Sequence, residues 1–176
     1  MSGIMQIKEL ERNIRKELIR IRDQIRNGND SEILIWVIPN KLACSQRPLR
    51  DHPKFGGRSP LPREARDLII NWVERIKQMG ILSIISLLEE AQNARYYIRG
   101  GLDLHEGGLI GYYKSKGFWV RHFPMADYQR PSPKDMQRVL TEYDKLPKPV
   151  LIQCSAGIDR TTPVAAFIAH QRLNAM

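Results

Sequence analysis

Cysteine is scarce in this chain: Cys44 and Cys154 are the only two in 176 residues. Two cysteines make neither a disulfide framework nor a zinc pattern. A reducing compartment, and hence a cytoplasmic location, is the simplest expectation. Histidine is scarce too. His52, His105, His122 and His170 show no metal-ligand spacing, so no metal is expected. No apolar run is long enough to span a bilayer, and no secretory hydrophobic segment opens the chain. Internal repeats and low-complexity tracts are absent. Acidic residues are outnumbered, 19 against 28 basic ones, giving a net charge of +9. Such a balance suits anionic partners: phosphoproteins, phosphoinositides, a membrane surface or nucleic acid. It does not choose among them.

What is present is enough for a single folded domain. Apolar residues make up 42% of the chain and charged residues 27%, a core and a soluble surface in ordinary proportion. Apolar runs at Ile33–Ile38, Ile81–Leu88, Phe118–Phe123 and Pro149–Ile152 read as strands. Pro62 opens a helix with Leu68, Ile69, Trp72, Val73 and Ile76 on one side, ending at Gly80. A shorter helix is expected over Leu104–Lys116. Ser132-Pro-Lys-Asp135 is a helix start, with Ser at the N-cap, Pro at the first helical position and an acid at the third. Asn40–Pro62, rich in Pro, Gly and basic residues, reads as a solvated connection or a substrate-recognition loop. Strands alternating with helices predict an α/β domain with a mainly parallel central sheet flanked by helices. Ligands bind such sheets at the carboxyl ends of the strands.

One segment concentrates the chemistry: Val150-Leu-Ile-Gln-Cys-Ser-Ala-Gly-Ile-Asp-Arg-Thr161. An apolar strand leads into it, and Pro163–Ala169 leads out as a helix with a small-residue face. A loop between a strand and a helix N-terminus aims backbone N–H groups at one point, which makes an anion site. Gly157 lets the loop curl without a side-chain clash. Arg160 offers a planar fork to two phosphate oxygens. Cys154 stands at the base of the loop, where the same dipoles favour the thiolate, the reactive form. Thr161 is placed to donate a hydroxyl hydrogen bond to that sulfur.

Cys-Ser-Ala-Gly-Ile-Asp-Arg-Thr resembles the Cys-x5-Arg-Ser/Thr signature of the cysteine-based protein tyrosine phosphatase superfamily, on its dual-specificity side. Val120-Arg-His-Phe-Pro-Met-Ala-Asp-Tyr-Gln-Arg-Pro-Ser132 is similar to the family's acid loop, where a strand ending in Pro precedes an Asp. Trp36-Val-Ile-Pro-Asn-Lys-Leu-Ala43 is similar to its opening strand and turn. Together these cover roughly residue 33 to the end. Gln153 stands where the family usually has His, and Asp159 where Gly often precedes the Arg.

The resemblance implies a dual-specificity-phosphatase-like fold and a metal-independent phosphomonoester hydrolase needing no cofactor. Cys154 would attack phosphorus and form a phosphocysteine. Asp127 would be the general acid, then the base on water. Ser155, Ala156, Gly157, Ile158, Asp159 and Arg160 would bind the phosphate. The expected substrate is a phosphorylated protein, at tyrosine and at serine or threonine; a nucleic-acid partner is not expected. The other readings are a phosphoinositide or phosphometabolite phosphatase, suggested by Asp159 and the basic chain, and a non-catalytic phosphate-binding module, suggested by Gln153. A sulfurtransferase would leave the acid-loop segment without a role.

Ahead of this region, residues 3 to 27 read as an amphipathic helix with Ile4, Ile7, Leu10, Ile14, Leu18, Ile21 and Ile25 in one stripe. We therefore divide the chain into an N-terminal helix, 1–30, and a phosphatase domain, 31–176. The stripe packs on the domain core or on a second copy, lies on a membrane surface, or binds a partner. It lacks a bulky aromatic, which disfavours the membrane. The chain runs only briefly past the loop helix, so the stripe is expected to cover a sheet face that relatives cover with later helices.

Overall fold

The computed structural model describes residues 2–174. Helix α1 spans Gly3–Arg26. Ser2 caps it by accepting from Met5 N, and Gly28 ends it at φ +87°, where an L side chain is disfavoured. Strands β1 (Ile35–Ile38) and β2 (Leu42–Ser45) form an antiparallel hairpin. A 3-10 turn and helix α2 (Arg66–Gln78) lead to β3 (Ser83–Ser86). Helices α3 (Glu90–Tyr97) and α4 (Gly108–Ser115) precede β4 (Trp119–His122). Helix α5 (Pro133–Lys145), β5 (Val150–Gln153) and α6 (Thr161–Leu173) complete the order.

The five strands form one sheet in the order β1-β2-β5-β3-β4, parallel except for β1. The expected α/β architecture, with a mainly parallel sheet between helices, is the one observed. Strand residues alternate between two cores, as period-two geometry requires. Ala43, Ile84 and Leu151 face a cluster with Trp72, Ile76, Tyr97 and Tyr113 of α2, α3 and α4. Leu42, Cys44, Ile85 and Ile152 face another with Leu18, Val139 and Ala165 of α1, α5 and α6. Helix α6 is apolar nearly all round and buried, so it needs a cover on its outer side. Helix α1 lies across it, with Ile14, Leu18, Ile21 and Ile25 buried. Ile4 at the far end of the stripe is 69% exposed.

Three local expectations need correction. Asn40–Pro62 is not a solvated connection throughout: Leu42–Ser45 is a fully buried strand between β1 and β5. Its four residues are too few for periodicity to register. The run Ile33–Ile38 forms a strand only from Ile35, on the sheet edge, with Ile38 alone of that strand buried. Helix α3, absent from the sequence reading, is held by a capping box in which the Glu89 carboxylate and the Gln92 amide satisfy each other's backbone N–H groups.

Candidate active site

Ser86, His122 and Gln153 lie side by side at the carboxyl ends of β3, β4 and β5. The loops that follow continue the alignment. Leu87 N donates to Gln153 O at 2.8 Å, Phe123 N to Ser86 O at 2.9 Å, and Met125 N to Leu87 O at 3.2 Å. This stitching brings the cysteine loop and the acid loop to one sheet edge.

Arg160 fastens the same three elements. It is 1% exposed. Its Nη1 donates to Gln92 Oε1 at 2.9 Å, to Met125 O at 3.1 Å and to Leu87 O at 3.2 Å. Nη2 stands 3.2 Å from Asp127 Oδ1, an ion pair without the alignment of a hydrogen bond, and Nε has no partner either. One edge of the guanidinium is thus committed to structure. The Nε–Nη2 edge retains two buried donors, and buried donors carry a large penalty unless something accepts from them. Planar, bidentate recognition of two phosphate oxygens fits that edge.

Asp127 lies over the Arg160 fork. Its Oδ2 accepts from Gln92 Nε2 at 2.9 Å and its Oδ1 from Tyr128 N at 2.9 Å. Gln92 therefore joins Arg160 to Asp127 while capping α3. The sequence reading missed it; the Glu89-x-x-Gln92 spacing was the available signal.

Cys154 directly follows β5 and is 1% exposed. Among the described residues, the backbone N–H groups of Ser155 through Arg160 make no hydrogen bond. The loop's shape depends on Gly157, with φ +76°. A Cβ there would stand 2.7 Å from both Gln46 N and Ser45 O, so the end of β2 walls the loop. Arg47 braces it from the same side. Its N–H donates to Ser155 O at 2.9 Å and its Nε to Ser155 Oγ at 3.1 Å, with the guanidinium 3.7 Å over the Tyr96 ring. Arg47, in the stretch read from sequence as a solvated connection or a substrate-recognition loop, is 1% exposed.

Two further residues of the cysteine segment are fully buried. Thr161 begins α6 with its hydroxyl buried and without a hydrogen-bond partner, so the expected bond to the Cys154 sulfur is not made. Gln153 is fully buried, accepts from Tyr113 OH at 2.5 Å and donates to Ser45 Oγ at 3.1 Å. Its amide ties β5 to β2 and α4. Cys44 sits in the same apolar cluster as Cys154; burial, then proximity to Cys154, pushes its thiol well up and keeps it protonated.

A cleft of about 450 Å³ opens above the loop. Ser155, Ala156 and Asp159 form one wall, Gln92 and Asp127 another, and Arg50, Arg58 and Arg95 add positive charge. Arg58 donates to the hydroxyl of Tyr128, which closes one side. Of the residues expected to bind phosphate, Ser155, Ala156 and Asp159 line this opening, with Asp127; Cys154, Arg160 and Thr161 are buried and do not line it.

No protein-family model matches the chain, and no curated protein matches it. Among solved structures it is similar to Tk-PTP in its active form, 16% identical over 81% of this chain and 84% of that one, with a TM-score of 0.47. Tk-PTP in a glycine-to-alanine mutant form is 18% identical over 80% and 81%, with a TM-score of 0.45. Kinase associated phosphatase with its catalytic-site cysteine changed to serine is 22% identical over 55% of this chain and 52% of that one, with a TM-score of 0.45. The chain spans about half the length of that last phosphatase.

Proposed function

We propose that this protein is a cysteine-dependent phosphomonoester hydrolase of the superfamily its sequence resembles, acting on phosphoproteins in the cytoplasm. The observation that carries the reading is the buried Nε–Nη2 edge of Arg160, without hydrogen-bond partners, at the rim of a loop whose N–H groups are also unpaired. Both sets of donors suit a phosphate dianion. With phosphate bound there, Cys154 attacks phosphorus in line with the leaving oxygen and forms a phosphocysteine. The phosphate oxygens take over the Nη2 contact that Asp127 holds in the free protein. Asp127, protonated, then donates to the leaving oxygen, and in the second step takes a proton from the attacking water. Arg160 and the loop N–H groups stabilise the charge on the transferring group. Phosphotyrosine is the favoured substrate, with phosphoserine and phosphothreonine accepted.

Hydrolysis of an aryl phosphate in reductant and chelator tests the reading. Wild-type protein is expected to turn it over, and Cys154→Ser to abolish turnover while still binding the ester. Substantial activity in purified Cys154→Ser would overturn the covalent route. Panels of phosphopeptides and phosphoinositides then test the substrate; a phosphoinositide preferred by orders of magnitude would overturn the phosphoprotein assignment.

A further inference from the structure

Two guanidiniums lie inside the protein at the cysteine loop, Arg160 and Arg47, each 1% exposed. Arg160 has Asp127 beside it. Arg47 has no acid within ion-pair distance among the described residues: Asp51 pairs with Arg26 and Arg50, Asp127 with Arg160, and Asp159 with Arg15. The partners Arg47 does have are neutral. Its Nε donates to Ser155 Oγ at 3.1 Å and its Nη2 to Gly57 O at 2.8 Å. The guanidinium stands 3.7 Å over the Tyr96 ring and 5.8 Å from the Tyr97 ring. No buried phenol or thiol supplies the missing negative charge. Burial pushes the Tyr97 hydroxyl up to about 12, against the opposing pull of Arg47, and pushes the Cys44 thiol well up. Gln153, directly ahead of Cys154, is a neutral amide. An aromatic face and two neutral acceptors compensate only part of what a buried cation loses in leaving water.

We infer that Arg47 is the resident counter-charge of the phosphate site, keeping the cysteine loop positive so that it binds a phosphate dianion. The inference rests on the phosphatase reading and adds a residue on which the loop's affinity depends. Arg47 does not line the opening. It acts through Ser155, as a positioning residue that also brings charge. The Arg47 N–H donates to Ser155 O at 2.9 Å while Nε holds Ser155 Oγ, so the cation is tied to the loop by backbone and side chain together. In the free protein Asp127 opposes the charge of Arg160, and nothing opposes that of Arg47. The loop is therefore positive before phosphate arrives. Arg58 and Arg95 on the cleft wall are exposed, where salt screens them. Arg47 is buried, so its field reaches the loop through protein.

Binding of inorganic phosphate to the full chain, read by calorimetry at low and high salt, tests this. Arg47→Gln keeps a hydrogen-bond donor and removes the charge; Arg47→Lys keeps the charge and loses the planar fork. Arg47→Gln is expected to weaken phosphate binding by at least about tenfold, as loss of a charge several ångströms away inside a protein gives. Arg47→Lys should restore most of that affinity. The gap between wild type and Arg47→Gln should persist at high salt, because a buried charge is poorly screened. Melting curves show whether the Arg47 variants have folded. If they have not, Tyr96 decides. Tyr96→Glu sets a carboxylate beside the intact guanidinium and neutralises it in place, and Tyr96→Gln is its uncharged control. Tyr96→Glu should bind phosphate several-fold more weakly than Tyr96→Gln. Equal affinity in Arg47→Gln and Arg47→Lys, or a gap that salt erases, would show that Arg47 only braces the loop and would overturn the inference. Equal affinity in the two Tyr96 variants would overturn it too. Aryl phosphate hydrolysis by the wild type is scored separately. A wild type that binds phosphate and hydrolyses nothing sinks the phosphatase reading, while the variants still report on Arg47. A wild type that hydrolyses the ester, with Arg47→Gln binding phosphate equally well, sinks the counter-charge alone.

Discussion

Gln92 carries more of the site than any single residue besides Arg160. One side chain accepts from Arg160 and Glu89 N and donates to Asp127. It touches no reacting atom, so it acts by positioning. Gln92→Leu keeps the bulk and removes all three bonds. We expect kcat for an alkyl phosphate to fall by at least about tenfold, a fraction of what a general acid supplies, with a smaller loss for a good aryl leaving group. Equal losses on both would show that Gln92 serves Arg160 alone. Gly157 makes a complementary case. Its φ of +76° and the 2.7 Å approach to the β2 backbone both exclude a Cβ. Gly157→Ala should cost roughly 1–3 kcal/mol through strain and disable the loop; melting near wild type with full turnover would contradict that geometry.

Elements differ in how plainly the sequence announces them. Helices α1, α2, α5 and α6 stood out, because apolar stripes and caps act within one segment: Ser132 Oγ accepts from Asp135 N as the spacing requires. The cysteine loop stood out because Gly157 and Arg160 fix its chemistry locally. The short strand β2 did not, since its support is tertiary, and α3 did not because its capping box stands ahead of a helix that buries only Tyr96 and Tyr97 as apolar residues. The burial of Arg47 was hidden as β2 was: it depends on Ser155, Gly57 O and Tyr96, all distant in sequence except Gly57. The segment after β2 also contains a pH-sensitive turn. His52 Nδ1 accepts from Lys54 N and Phe55 N at 3.1 and 3.2 Å. Burial lowers its pKa from the ordinary 6.5, with Lys54 adding to the effect and Asp30 opposing it. The unfolded chain therefore takes up the proton first as pH falls. His52 contributes stability above about pH 6.5 that is lost as pH drops through its lowered folded value. The melting difference between wild type and His52→Gln should shrink from pH 7.5 to pH 5; a constant difference would show that the turn does not sense protonation.

At the scale of the whole molecule, α1 does two things with two stretches of its length. Ile14, Leu18, Ile21 and Ile25 cover α6, whose buried small residues would otherwise meet water. Toward the start of the helix, Ile4 is largely exposed and Ile7 and Leu10 only partly buried, while Lys8 and Arg12 face a cleft beside the proposed catalytic site. The helix is therefore held mainly by its later turns, while Ile7 and Leu10 pack on the core only in part. Ion pairs such as Arg20–Glu32 are exposed and add little to its attachment. Graded effects along one stripe follow. Leu18→Ala should cost about 2–5 kcal/mol, which lowers the melting temperature by roughly 5–20 °C for a chain of this size. Ile4→Ala should change stability by less than about 0.5 kcal/mol. Removing residues 1–28 should lower melting strongly and raise binding of a hydrophobic dye, because the α6 face is uncovered. A shortened chain that stays soluble, melts as the full chain does and hydrolyses aryl phosphate equally well would show that α6 needs no cover.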